Sequence, residues 1–336
     1  MKNRQKAVFL LLSALLLVRG AAGQPVVTEA ERFRLAAEYS RENRGVSMLV
    51  MKGDKVVFED AALDFVKGMP WMLASGTKSF VGVMCAAAID DKLITGYDEK
   101  VADTITEWKG DPRRSKVTIR QLLSLTSGVD VGQIAIVPTF SESIGSPAKY
   151  DPGTHFEYGP VPFQIFGEVM TRKLKSKDET VKKYLKRRIL DPIGLNISYW
   201  RAFDDQPLLP QGLMLRAGEW AKFGLLLKNH GKWNGKQIVS AKLLDELVIG
   251  SKVNPAYGMT FWLNADGIGP SGGSRPGISG DIGTKKISET LDVYMAAGAG
   301  NQRLYIIPSR DLVVVRFGVF GGFDDREFIS RLLTGQ

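Results

Sequence analysis

The sequence predicts an α+β protein: an antiparallel sheet built from both chain ends, flanked by helices, with a mostly helical subdomain inserted between the two parts of the sheet. Three observations predict it. β-prone runs cluster near the start, at residues 46–51 and 56–60, and again near the end, at 291–297, 304–307 and 312–317. Helical patterns are concentrated between those two groups. With 336 residues, 44% of them apolar, the chain is long enough to bury a full core, as one large domain or two interleaved ones.

The elements follow in order. Met1-Lys2-Asn3-Arg4-Gln5-Lys6 is a basic segment, residues 7–18 are apolar, and Ala21-Ala22-Gly23 offers small residues for cleavage. That is the pattern of a secretory signal over 1–23, too short to span a bilayer comfortably. It leaves a domain over 24–336, with its sheet part at about 24–74 and 250–336 and its helical part at about 75–249. Residues 27–43 read as a helix, and the first two strand-like runs, joined by Lys52-Gly53-Asp54-Lys55, read as a hairpin. Thr118-Ile119-Arg120-Gln121 is a capping box opening a short helix. Residues 217–229 form another helix, with Trp220, Phe223 and Leu227 on its apolar side. Pro308-Ser309-Arg310-Asp311 is the turn between the last two strands, and a terminal helix follows over 324–332. The Gly- and Ser-rich stretch 267–283 reads as a loop, and there is no internal repeat or low-complexity segment.

Composition excludes several functions. Removing Lys2, Arg4, Lys6 and Arg19 with the signal leaves 41 basic against 36 acidic residues and lowers the net charge from +9 to +5, which argues against nucleic acid as a partner. The short basic clusters, Arg172-Lys173-Leu174-Lys175 and Lys182-Lys183 to Arg187-Arg188, read as solvated helix faces. The lone Cys85 lies among apolar residues and reads as a small buried hydrophobe. Two histidines, His155 and His230, are too few to favour a metal centre or a Ser-His-Asp triad; His230 before Gly231 reads as a helix end. No metal or organic cofactor is expected. No cysteine follows the apolar leader to take a lipid, so the expectation is a soluble protein, secreted or periplasmic, without a stable membrane anchor after cleavage.

Chemistry concentrates at Ser75-Gly76-Thr77-Lys78. A serine hydroxyl is a weak nucleophile until a neighbouring base takes its proton, and three residues along a helix is one turn on the same face. The apolar run after this motif predicts a buried helix whose first turn opens on a cleft, with Ser75 near free N–H groups and the positive end of the helix dipole. Burial there lowers the pKa of Lys78, which must be neutral to act as a base. The pattern is short and should arise about once by chance in a chain of this length. It arises twice, and the second match, Ser146-Pro147-Ala148-Lys149, sits in a Pro- and Gly-marked loop. Spacing and context alone leave Ser75 either a nucleophile or an ordinary helix N-terminal serine.

Four segments in sequence extend the case: Ser75 to Phe80, Val117-Thr118-Ile119-Arg120-Gln121-Leu122-Leu123-Ser124-Leu125-Thr126-Ser127-Gly128, Gly153-Thr154-His155-Phe156-Glu157-Tyr158, and Gln302 to Val315. In type and order they resemble the serine β-lactamase-related superfamily, which holds class C β-lactamases, DD-peptidases, esterases and 6-aminohexanoate-dimer hydrolases. The resemblance runs from about Val46 to Phe317. It implies a β-lactamase/transpeptidase-like fold and three site elements, of which Ser75 with Lys78 is the first. Tyr158-Gly159-Pro160 stands at the second, usually Tyr-x-Asn, making Tyr158 the phenol that shuttles a proton to the leaving group; the substrate-orienting Asn is replaced by Pro160. Ala296-Ala297-Gly298 stands at the third, usually Lys-Thr-Gly or His-x-Gly, so the cationic or imidazole side chain is absent. The N–H of Ala299 is left to face that of Ser75 as an oxyanion hole.

Three readings follow. In the first, the protein is an exported serine hydrolase that forms an acyl-enzyme on Ser75 and acts on small esters or amides. In the second it is a β-lactamase or DD-peptidase for carboxylate-bearing substrates, with Arg303 or a loop lysine replacing the lost cation. In the third, Pro160 and Ala296 mark a catalytically silent binding relative.

Overall fold

The computed structural model describes residues 27–63, 67–270 and 285–336. The signal-like segment 1–23 and residues 271–283 of the Gly-rich stretch lie outside the described residues. Helix α1 (Glu29–Glu42) leads into the hairpin β1 (Gly45–Lys52) and β2 (Lys55–Ala61). The short β3 (Trp71–Met72) runs into a 3-10 turn, Ala74–Thr77, continuous with α2 (Lys78–Asp90). The helical part continues with α3 (Ile119–Leu123), α4 (Phe140–Ser143), α5 (Val161–Leu174) and α6 (Val181–Leu185). Short strands follow: β4 (Tyr199–Trp200), β5 (Ala202–Phe203), β6 (Gln206–Pro207) and β7 (Leu213–Leu215). Then come α7 (Ala217–Lys228), the ladder of β8 (Lys232–Trp233) with β9 (Lys236–Gln237), and α8 (Ala241–Leu247). β10 (Trp262–Leu263), β11 (Tyr294–Gly298), β12 (Gln302–Ile307), β13 (Leu312–Gly318) and α9 (Asp325–Thr334) complete the chain.

The expected closure of one sheet by both chain ends is present: the six-stranded order is β10-β11-β12-β13-β1-β2, with antiparallel pairing of Val50 with Val314 and Leu49 with Val315 joining the ends. Near-continuous burial along β12 and β13 explains why these strands read as unbroken apolar runs rather than as alternations. On one face α7 lies so close that a Cβ on Gly224 would stand 2.5 Å from Val313. Beyond α7, Phe80 of α2 stacks on Phe223 at 3.9 Å between ring centres. The capping box at Thr118 forms with both its hydrogen bonds. The basic clusters meet acidic partners within the fold, as Arg172 with Glu107 and Arg188 with Asp91, each at 2.8–2.9 Å.

The opposite face carries charge inside. Arg303 of β12 is fully buried and donates to both carboxylate oxygens of Asp325, at 2.8 and 3.0 Å, while the Tyr305 hydroxyl donates to the same carboxylate. Arg316, paired with Arg303 across the strands, donates to the carbonyls of Asn301 and Asn43 and lies over the Phe323 ring at 3.8 Å. A buried charge that loses its partner keeps its desolvation cost with nothing to offset it. Asp325→Ala should therefore cost about 3–5 kcal/mol in urea unfolding, against about 1–2 kcal/mol for Tyr305→Phe. A loss below about 1 kcal/mol for Asp325→Ala would mean that the guanidinium finds another partner.

Candidate active site

Ser75 sits one step ahead of the α-helix, in the 3-10 turn, rather than in the first turn of the helix itself. The reason is tertiary. The Leu73 N–H donates to the Leu213 carbonyl at 2.9 Å, extending the β3–β7 pairing up to the motif. Strand β11 then presses in from the other side: a Cβ on Gly298 would stand 2.0 Å from the Leu73 carbonyl oxygen and 3.1 Å from the Gly76 nitrogen. Between these constraints Ala74 takes φ +47°, a left-handed conformation unfavourable for a residue with a Cβ. The Thr77 hydroxyl locks the turn by donating to the Ala74 carbonyl at 2.7 Å and accepting from the Leu213 N–H at 3.3 Å. Gly76 is glycine because the Trp220 ring would lie 2.8 Å from any Cβ there.

The turn brings Lys78 to Ser75. Its Nζ donates to Ser75 Oγ at 2.8 Å and to the Pro210 carbonyl at 3.0 Å. Lys78 is only 4% exposed, and burial alone brings its pKa down to about 7. Among the described residues no carboxylate pairs with it. The amine also lies 4.8 Å from the centre of the Tyr158 ring and 5.4 Å from that of Phe163.

Tyr158 completes a three-residue cluster. Burial pushes its phenol up to about 12, against smaller opposing influences from the Ser75 side chain, the Arg303 charge and the Trp262 side chain. Its ring stacks on Trp262 at 5.6 Å and meets Tyr257 edge-on at 6.1 Å. Its backbone is placed by the Leu125-Thr126-Ser127-Gly128 segment: the Leu125 carbonyl accepts from Glu157 N–H, Thr126 from Gly153, and Gly128 from Lys149 and Tyr150. That explains why the two sequence segments occur together. Pro160 closes the loop as the residue capping α5, where its lack of an N–H costs nothing.

Ala299 directly follows Gly298, at the end of the strand pressed against the Ser75 turn. Among the bonds formed by the described residues, neither its N–H nor that of Ser75 meets a backbone acceptor outside the helices and strands. Ala296, at the position of the expected cation, offers only a buried methyl group. Arg303 does not replace it. It pairs across the strands with Ala297, so it points to the face opposite Ala296, where Asp325 holds it. At the second Ser-x-x-Lys match, Lys149 pairs with Asp130 at 3.1 Å. His230 bonds Asp245, and Cys85 is buried with its thiol pushed well up, so neither belongs to the site. The described residues contain no cluster of potential metal ligands.

Sequence reasoning missed Pro210, Phe163, Trp262 and Tyr257. The only signal was the density of aromatic residues over 257–262. Nothing local marked a carbonyl 132 residues from the lysine that it holds.

Comparison with known proteins gives the fold and the family. No curated protein matches the chain. Among solved structures, a penicillin-binding protein homologue from Caulobacter crescentus superposes with a TM-score of 0.66 at 17% identity, over 92% of this chain and 97% of that one. A family VIII carboxylesterase gives 0.64 at 18% identity over 92% and 97%. A beta-lactamase from Mycobacterium bovis gives 0.58 at 19% identity over 87% and 94%. These likenesses establish a β-lactamase/transpeptidase-like fold. The beta-lactamase family model matches residues 30–317, nearly the whole of the described chain, and the protein belongs to that family of serine hydrolases.

Proposed function

We propose that the protein is an exported serine hydrolase that forms an acyl-enzyme on Ser75 and hydrolyses small, uncharged esters or amides. The observation that carries this reading is the buried Lys78 amine 2.8 Å from the Ser75 hydroxyl, with a pKa near neutrality and, among the described residues, no carboxylate to keep it charged. In the neutral state the amine, still donating to Pro210, turns its lone pair to the Ser75 proton as Oγ attacks the substrate carbonyl. The oxyanion collects between the N–H groups of Ser75 and Ala299. Tyr158, protonated at neutral pH, gives its proton to the departing oxygen or nitrogen and is reprotonated by the Lys78 ammonium. Water, deprotonated by the same pair, then attacks the acyl carbonyl and releases Ser75.

Uncharged substrates are favoured by what faces the site: a methyl at Ala296, and an Arg303 committed to Asp325. At Ala296 a substrate carboxylate would be desolvated against a methyl group instead of meeting a cation from that position. Export is supported by the basic, apolar and small-residue order of residues 1–23, and no helix among the described residues is long and apolar enough to cross a membrane. Hydrolysis of a p-nitrophenyl ester should outpace that of a chromogenic cephalosporin; the reverse order would favour the β-lactamase or DD-peptidase reading. A fluorophosphonate should label the wild-type protein and not Ser75→Ala, and failure to label the wild type would favour a silent binding relative.

Two further outcomes follow from the proton-handling groups. kcat/KM should rise with pH through about 7 as Lys78 loses its proton, and Tyr158→Phe should lower it by about 10²–10⁴-fold with the acid limb retained. Stability should also rise with pH, over a higher range. The folded-state pKa of Lys78 lies below its ordinary 10.5, so the unfolded chain binds the extra proton between pH 7 and 10.5. The resulting destabilisation is full below pH 7, fades between pH 7 and 10.5, and is gone above the unfolded value. Lys78→Met should therefore abolish activity yet raise stability by about 1–3 kcal/mol at pH 7, with the gain shrinking toward pH 10.5. A less stable Lys78→Met protein at pH 7 would contradict the account of the buried lysine.

A further inference from the structure

The carbonyl that holds Lys78 is itself held from a third part of the chain. Gln164, on α5, is fully buried, and both ends of its side-chain amide are used. Its Nε2 donates to the Pro138 carbonyl at 2.7 Å, and its Oε1 accepts from the Leu209 N–H at 3.1 Å. Leu209 is the residue before Pro210.

We propose that Gln164 is a positioning residue for the base: its amide ties the 208–210 segment to α5 so that the Pro210 carbonyl holds the Lys78 amine against Ser75. The inference rests on the reading of Ser75 and Lys78 as nucleophile and base. Pro210 has no N–H, so the segment can be anchored only through its neighbours. Leu208 is fixed on both sides, its N–H on the Arg201 carbonyl at 2.9 Å and its carbonyl accepting from the Trp200 indole at 3.0 Å. Leu209 is fixed by Gln164. The proline ring sets φ at about −65° and biases Leu209 toward extended backbone, which restricts the torsions between the Leu209 N–H that Gln164 holds and the carbonyl that Lys78 uses.

The same helix contributes on both sides of the amine. Pro160 ends the Tyr158 loop and caps α5, Phe163 lies beneath the lysine nitrogen, and Gln164 is one helical turn beyond Pro160 on the same face. A lysine side chain has several free rotations, and apart from Ser75 its nitrogen has one hydrogen-bonding anchor among the described residues, Pro210. Loosening that anchor lets the amine leave the line to Ser75 without emptying the site. The titratable group facing Lys78 is Tyr158, with the Arg303 charge beyond it, and the described residues bring no carboxylate to it.

The test is Gln164→Met, which keeps the volume and removes both hydrogen bonds. On a p-nitrophenyl ester, kcat should fall about 10–100-fold with KM within about twofold, the pattern of a misplaced catalytic group rather than of lost binding. A carbonyl acceptor stabilises ammonium more than neutral amine, so the acid limb should move to lower pH by about half a unit. Gln164→Glu retains an acceptor for Leu209 and should keep kcat within about tenfold of wild type, with its limb at or above the wild-type position. It also serves where Gln164→Met does not fold. A folded Gln164→Met protein with lower thermal stability but wild-type kcat and an unmoved limb would overturn the proposal. NMR titration of Lys78 in 13C-lysine-labelled protein reads the same shift without substrate. An unshifted Lys78 titration in Gln164→Met would therefore overturn positioning even in an active enzyme, whereas a wild type that never acylates fails the catalytic reading and leaves that titration to decide this one.

Discussion

A lysine amine taken out of water, with no carboxylate beside it among the described residues, is the constraint on which the rest of the site depends. Left exposed, Lys78 would carry its proton at neutral pH and could only donate to Ser75. Paired with an acid it would be more firmly cationic still. The fold instead surrounds it with aromatic faces from Tyr158 and Phe163 and gives it a neutral carbonyl from Pro210, which orients the nitrogen without fixing its charge. The buried state of α2, apolar on every side, is what makes this possible: the helix carries the lysine into the core, with Ser75 half-buried just ahead of it.

The sheet supplies the other half of the geometry. Because β11 belongs to a sheet closed by both chain ends, its position is set by strands far from the motif, and Gly298 lets it approach the Ser75 turn at backbone distance. The same approach holds Ala74 in its left-handed conformation, local strain of the kind that a surrounding structure must impose. On the far side of that sheet the buried Arg303–Asp325 pair ties β12 to α9. Arg303 thus acts in the frame of the site rather than as a substrate contact.

What was legible in the sequence was what is decided locally. The β1–β2 hairpin, the Thr118 capping box and the terminal strands rest on turn residues, caps and apolar runs a few positions long, and each formed near its expected bounds. The Ser75–Lys78 pair rests on a three-residue spacing and came together as that spacing dictates. The turn in front of it was not legible. Ala74 has a strong helical propensity, and what keeps the motif out of the α-helix is pairing with β7 and pressure from β11, both remote in sequence. Tyr158 was placed only through resemblance, since no spacing links it to Ser75. Gln164 and Pro210 had no signal, because their roles arise from contacts spanning 45 residues or more.

The central claim is that Ser75 carries the acyl group and Lys78 governs its formation. The measurement that tests it most directly is acid quenching of the protein during turnover of an activated ester, followed by mass spectrometry of its peptides. The account predicts one acyl adduct on the peptide bearing Ser75, accumulating faster as pH is raised through about 7 and absent from Lys78→Met. An adduct on another residue, or turnover with none on Ser75 and unchanged in Lys78→Met, would contradict it.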